Sequence, residues 1–551
     1  MRSTVVSLTS LLTVFSLAAC GSVPGSTFDA GGVDDAGTTA VDSGAMPTTF
    51  TDFGDPILAS GAPASSQGLF GGAAGAQAGG PCLVEPEVNS LYPRNWLRPR
   101  FRWIASGGEN LFELRVHAPN QTKDLLVHTT DTSWTMPQTM WDLVRGHSND
   151  MPMTLSVRGG VWNGTSLGAV ALGSSGPIGI APVDAPGTIV YWYTNGYTGA
   201  IGLNAFAVGD ESVTSALTTS QVTEQSTTCM GCHVGTPDGN SVVFSSENGK
   251  WGDMIAGLAT GGDAGAPGAV PSYAGNAGLQ ALLQGPLGMS TISKAHWQDG
   301  DRVVVASDGA GALQWIDVAA TDSTKARGTL ARTGTQPAGT LAGAPSFSHD
   351  GKSIVYTATN HVADGRLGGY VFDTDDPGSV ADLYTVPYND REGGAIAPVK
   401  GASDPLYQEY YPAYSPDDSL IAFNRIPNDK NMYNQPLSEV WIVPAGGGVA
   451  TRLAANDPPG CTGKTSPGVT NSWPKWAPKV SAASGGRTFY WLVFSSTRAG
   501  TLPQLYITPV VVGNGTVQTY ASLYLWNQPS TTGNHTPAWE YFNVPTPPPP
   551  R

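Results

Sequence analysis

An internal repeat constrains this chain more than any other feature. Pro345-Ser-Phe-Ser-His-Asp-Gly351-Lys-Ser-Ile-Val-Tyr356 recurs as Pro412-Ala-Tyr-Ser-Pro-Asp-Asp418-Ser-Leu-Ile-Ala-Phe423, with weaker copies at Thr236, His296, Pro474 and Pro537. The turn residues Gly239, Gly300, Gly351 and Asp418 lie 61, 51 and 67 residues apart. In the fuller copies a strand meets an Asp-Gly or Asp-Asp turn able to supply a positive φ, and an apolar strand follows. Further strands such as GGYVFDTD, SEVWIVPA and PQLYITPV come behind. A unit of this size built only of strand and turn predicts a β-propeller with inserted loops, one copy per blade. Composition agrees: Gly 70 and Pro 43 in 551 residues imply many turns and short strands, which excludes a helical bundle or coiled coil. The length calls for two or more domains.

The repeat motif resembles the TolB-type, WD40-like propeller family over residues 185–545. The last copy, HTPAWEYFNV, has no strand after it, whereas GTIVYWYTNG, IGLNAFAVG and SVTSALT precede the first copy and read as outer strands without an inner one. Pairing these ends predicts six blades, closed by strands from both ends of the domain, which leaves no free sheet edge. Before it, residues 85–181 carry alternating strands such as Phe112-Leu114-Val116 and Met153-Leu155-Val157. The stretch SLYPRNW…RFRW…FELRVHA is similar to a fibronectin type III or immunoglobulin-like sandwich, in which Trp103 would pack in the core. His117, His128 and His147 lack a metal-like spacing and read as structural or solvated. The expected fold class is all-β: an immunoglobulin-like sandwich followed by a six-bladed TolB-like propeller.

The N-terminus has one basic residue, Arg2, then an apolar stretch and Leu17-Ala18-Ala19-Cys20. This plan is that of a secretory signal over residues 1–19. Its ending resembles the bacterial lipobox, which implies a lipid on Cys20. Gly21 rather than Asp follows the Cys, so the resemblance implies an outer-membrane lipoprotein, on the periplasmic side or at the cell surface. Residues 20–80 are rich in Gly, Ala, Ser and Asp and read as a flexible tether; residues 546–551 form a Pro-rich tail.

Cys229-Met230-Gly231-Cys232-His233 is a C-x-x-C-H pattern. Its chemistry is that of covalent haem c: two thiols so spaced each form a thioether with a porphyrin vinyl group, and the next residue offers an imidazole to the iron. Cys229 and Cys232 would anchor the haem and His233 would be the proximal iron ligand. Resemblance to cytochromes c is limited to these five residues, because the flanks SVTSALTTS and SVVFSS are strand-like rather than helical. The pattern is expected just before an inner propeller strand, near the rim of the central channel. His296 and His535 are the distal-ligand candidates, with Met254 and Met289 behind them; the alternative for each histidine is a rim side chain bonded to backbone. A C-x-x-C disulfide or a metal site are the competing readings. Cys82 and Cys461 would pair across domains or stay reduced.

The leading expectation is an exported, lipid-anchored c-type haem protein working in electron transfer or haem-based sensing, with a redox or envelope protein as partner. The alternative is a TolB-like envelope scaffold that binds protein or polysaccharide, with the C-x-x-C as a disulfide and no haem. Neither a P-loop nor H-E-x-x-H occurs, and the reading leans away from an enzyme. A net charge of −15 repels a phosphate backbone and excludes nucleic acid as an expected partner.

Overall fold

A computed structural model of the chain describes residues 53–71, 77–195, 200–222, 227, 229–247, 251–257, 269–284, 287–360 and 377–542. The signal segment 1–19, Cys20, the GGYVFDTD strand and the 546–551 tail lie outside the described residues.

The first unit consists of β1 (Cys82–Glu85), β2 (Arg100–Ile104), β3 (Leu111–His117), β4 (Leu125–Thr129), β5 (Ser133–Thr135), β6 (Pro152–Gly160) and β7 (Ala171–Ile180). One sheet runs β1-β2-β5 and the other contains β4-β3-β6-β7. Trp103 on β2 meets Phe112 on β3 edge-on, with 5.5 Å between ring centroids, so the two sheets share one core. His128 is buried against Glu113, which also holds Arg158, and His117 pairs with Asp124; both histidines serve the fold.

The tether expected over 20–80 needs correction from Phe53 onward. Ile57–Leu58 pairs in parallel with β4, and Phe53, Ser66 and Phe70 are buried. The large apolar residues are few, but Phe53 joins the sheet-to-sheet core and Phe70 stacks on His128 at 5.4 Å, burial enough to order a Gly-rich segment.

The second unit opens with β8 (Thr188–Thr194), β9 (Ile201–Ala207) and β10 (Thr214–Thr218). Its innermost strands are β11 (Cys229–Gly235), β12 (Leu287–Ile292), β13 (Leu341–Phe347), β14 (Tyr407–Tyr414), β15 (Ser472–Trp476) and β16 (Gly533–Glu540). Each of β11 to β15 heads its own sheet, while β16 pairs with β8 in a sheet β10-β9-β8-β16. Every inner strand packs on the next and β16 packs on β11, which closes a ring of six sheets. The chain is therefore a propeller whose first sheet takes strands from both ends of the unit. Closure leaves no inner edge to pair with another chain.

The repeat residues explain the blade turns. In the β13 blade Ser348 Oγ donates to Asp350 Oδ1 (2.7 Å), Asp350 accepts from Lys352 N (3.0 Å), and Ser348 Oγ accepts from Ser353 N (3.0 Å), with Gly351 at φ 73°. Ser415 and Asp417 repeat this arrangement in the β14 blade, and Thr236 and Asp238 in the β11 blade. Asp418 replaces the turn glycine at φ 58°. Its carboxylate accepts from His349 N (2.7 Å) and Asp350 N (2.9 Å) of the neighbouring turn, a tie that offsets the strain of a left-handed Asp.

Every inner strand also carries a register shift at the same place. The shift falls between Met230 and His233, Gly288 and Ser290, Gly343 and Ser346, Tyr410 and Ala413, Ser472 and Lys475, and opposite Val190 and Trp192 in the closing sheet. Five of these bulges hold a non-glycine residue at positive φ: Met289, Ala344, Tyr411, Trp473 and Thr536. In β11 the bulge is made by Gly231 and Cys232. A bulge bends its strand and turns its side chains, here at the level where the inner strands converge.

Candidate functional site

The C-x-x-C-H residues do not precede the inner strand; they are its first five residues. Cys229 is half-buried, and Met230, Cys232 and His233 are buried. Trp192 Nε1 donates to the Met230 carbonyl (2.6 Å). His233 Nε2 lies 3.1 Å from the Val190 carbonyl, and because a carbonyl only accepts, Nε2 carries the proton. Nδ1 is buried without a hydrogen-bond partner among the described residues. Burial drives the imidazole down to about 4, against the pull of the Val190 carbonyl, so His233 is neutral at pH 7.

His535 on β16 is its neighbour. The ring stacks on Trp473 at 4.7 Å and meets Trp192 edge-on at 4.4 Å. Burial, with a smaller push from His233, takes it down to about 3. Tyr411 continues the stack from Trp473 at 5.5 Å, so aromatic rings from consecutive blades fill the axis at the level of the bulges. Two residues the sequence reading missed complete this cluster. Lys475 on β15 is buried and pushed well below the usual lysine range, with Glu540 as its opposing charge. Glu540 on β16 is buried and pushed well above the carboxylate range, while Lys475 and Lys294 pull it back. Among the described residues Lys475 Nζ, both Glu540 oxygens, His535 Nδ1 and Thr536 Oγ1 find no hydrogen-bond partner. A signal for them exists in the repeat: Pro474-Lys-Trp and Pro537-Ala-Trp-Glu put charges where Pro345-Ser-Phe-Ser and Pro412-Ala-Tyr-Ser carry Ser or Ala.

His296 stands apart. It lies on a short helix, Lys294–Gln298, where Nε2 is 2.8 Å from the Gly351 carbonyl and the ring packs on Tyr388 at 4.5 Å. It is a tie between adjacent blades, the backbone-bonded alternative set out for it. Met254 and Met289 are buried in the same apolar cluster as Met230 and Cys232.

No family model matches this chain, and no curated protein matches it. Among solved structures the chain is similar to TolB from Acinetobacter baumannii, with 14% identity over 70% of this chain and 79% of that one and a TM-score of 0.35. It is also similar to Kuenenia stuttgartiensis hydrazine synthase, with 13% identity over 55% of this chain and 74% of that one and a TM-score of 0.28. The propeller assignment rests on the strand pairing and ring closure described above.

The motif can be tested against covalent haem by its packing. The five residues run in an extended, bulged strand hydrogen-bonded to Ser241–Glu247. Cys232 lies in the apolar core with Trp192 and Met289, and His233 Nε2, which would have to face iron, is engaged by Val190. Seating a porphyrin would require opening the inner ring, so the residues as packed do not fit the group. The C-x-x-C disulfide is not formed either: the bonded pair is Cys82–Cys461, and Cys229 and Cys232 are not joined to each other. Among the described residues no set of three or more His, Cys, Asp or Glu is arranged to hold a metal ion.

Proposed function

We propose that the chain is an exported scaffold of the cell envelope: a six-bladed TolB-like propeller and a fibronectin type III-like sandwich acting as one rigid body, tethered by lipid at Cys20. The observation that carries this reading is the weld between the units. The Cys82–Cys461 disulfide spans 379 residues of sequence. Beside it Arg498 of the propeller pairs with Glu87 of the first unit at 2.9 Å, both side chains almost fully buried. Arg498 also donates to Ser522 Oγ, Asn471 Oδ1 and the Ala455 carbonyl, so the buried guanidinium is well satisfied. Trp526 Nε1 donates to the Arg98 carbonyl, and Arg98 pairs with Glu211. Such a weld fixes the geometry of two surfaces, which is what a docking platform requires. A disulfide also suits an oxidising compartment.

The test is sedimentation of the unlipidated Cys20→Ala chain with purified outer-membrane and cell-wall fragments. Co-sedimentation through the folded units is expected. A chain that stays in the supernatant overturns the reading, as does a haem-sized mass addition on the Cys229–His233 peptide of protein matured with a haem-ligation system.

A further inference from the structure

The weld encloses a groove of about 860 Å³ that is open to solvent. One wall is the segment from Glu87 to Leu91 together with the second half of β7; the other is the 454–461 loop, Arg487 and residues 518–521 of the β15 blade. Three contacts hold the walls at a set distance. They are the Cys82–Cys461 disulfide, the bidentate Arg487–Asp150 pair at 2.7 Å, and the Ala521 N–H donating to the Asn89 carbonyl at 3.2 Å. The volume is that of a small-molecule or short-oligomer site, and its position between two units is where such sites concentrate. A preformed groove also spares a ligand the cost of ordering the protein.

The lining selects the ligand by exclusion. Its charges are already neutralised: Asp150 by Arg487, Glu87 by Arg498 and Asp457 by Arg452. A charged ligand would shed water there without gaining a free counter-charge. An acyl chain is equally unsuited, because Asn89, Ser175 and Gln518 are exposed in the groove and their side chains make no hydrogen bond among the described residues. An extended peptide would need a strand edge to pair with. On the first unit's wall the β7 edge is occupied: Ser174 N–H donates to Pro81, and the Pro177 carbonyl accepts from Asn89 N–H. Gly179 and Ala181 N–H donate to Ser90 and Tyr92. What the groove offers is unused amides and a hydroxyl beside apolar faces from Val88, Pro459 and the half-buried Tyr520. That mixture matches a sugar, whose hydroxyls want donors and acceptors and whose ring faces pack on apolar and aromatic groups.

We propose that this groove binds an uncharged oligosaccharide of a few residues. The inference rests on the envelope-scaffold reading and names its ligand class. The experiment passes the Cys20→Ala chain over immobilised neutral di- to hexasaccharides of the malto, cello, chito, manno and galacto series, with sulfated and polyuronate oligomers and unstructured peptides as comparators. At least one neutral series should be retained, and Gln518→Ala with Tyr520→Ala should weaken retention about tenfold or more, as expected when polar contacts are removed. Ser175→Trp, which fills the groove from an exposed position, should abolish retention while leaving Tm unchanged. Retention of no neutral series, retention only of charged oligomers or peptides, or retention indifferent to both sets of substitutions overturns the proposal. Co-sedimentation with envelope fragments that neutral oligosaccharides fail to compete would leave the scaffold standing and remove only this inference.

Discussion

Two buried polar clusters in this molecule solve the same problem in opposite ways. At the seam, Arg498 and Glu87 are out of water, yet the guanidinium satisfies carbonyls, hydroxyls and an amide from segments distant in sequence. On the axis, His233, His535, Lys475 and Glu540 are equally buried and leave polar atoms without hydrogen-bond partners among the described residues. At the seam burial pushes the Glu87 carboxyl up as well, but the Arg498 guanidinium and the Ser522 hydroxyl pull it back. The axial groups are pushed by desolvation towards their neutral forms. A satisfied network adds rigidity, whereas an unsatisfied one stores a cost that packing elsewhere must offset.

The comparison breaks most sharply by substitution. Arg498→Met strands the Glu87 carboxylate and several carbonyls, and should cost about 3–5 kcal/mol in urea unfolding. Lys475→Met on the axis should leave stability unchanged or raise it; equal losses at the two sites would refute the contrast. Removing the disulfide by Cys82→Ala with Cys461→Ala should cost about 2–4 kcal/mol, measured by thermal unfolding, and loosen the seam without touching the axis.

Acid tests the axial cluster next, with a buried carboxylate of the first unit as reference. His233 and His535 take up protons only near 4 and 3 when folded but near the ordinary histidine value when unfolded. Their stabilising contribution is complete above about pH 6.5 and is lost as pH falls towards those values, up to about 3 kcal/mol for His233 and about 5 kcal/mol for His535. His233→Gln should flatten that part of the stability-versus-pH curve. In the first unit burial would raise Glu113, but its bonds to His128 and Arg158 hold it at about 2. Its contribution is therefore present above the ordinary carboxylate range and disappears only below it, at more acidic pH than the histidine effect. The smallest effect is at the exposed end of the seam: Asp150→Asn breaks a pair a third exposed on each side and should cost less than about 1 kcal/mol, with added salt shrinking it further.

Blade number, closure by both ends and the Asp-centred turns were all legible in the sequence. A Ser or Thr two residues before an Asp and a positive-φ residue closes its hydrogen bonds within a few positions, so the motif at Ser348 reads the same wherever it occurs. Trp103 was placed in its core for a similar reason, since alternation marks the buried face of a strand. The setting of the Cys229–His233 pattern was not legible. Its spacing describes a haem attachment equally well on a loop or in a strand, and only the bulge at Gly231 and Cys232 and the cover from Trp192 and Val190 decide what the thiols and imidazole meet. The ordering of residues 53–71 was likewise hidden, because low composition-average hydrophobicity masks two well-placed phenylalanines.

By itself the chain of amino acids determined the local units: short strands, turns that need Asp and Gly, and a repeat that has to curl into a ring to cover its apolar faces. These follow from backbone geometry and from side chains a few positions apart. Only the tertiary structure decided that Cys82 finds Cys461, that Glu87 finds Arg498, and that two histidines, a lysine and a glutamate share the axis. Burial and partnership are properties of contacts between distant segments, and no spacing along one strand encodes them.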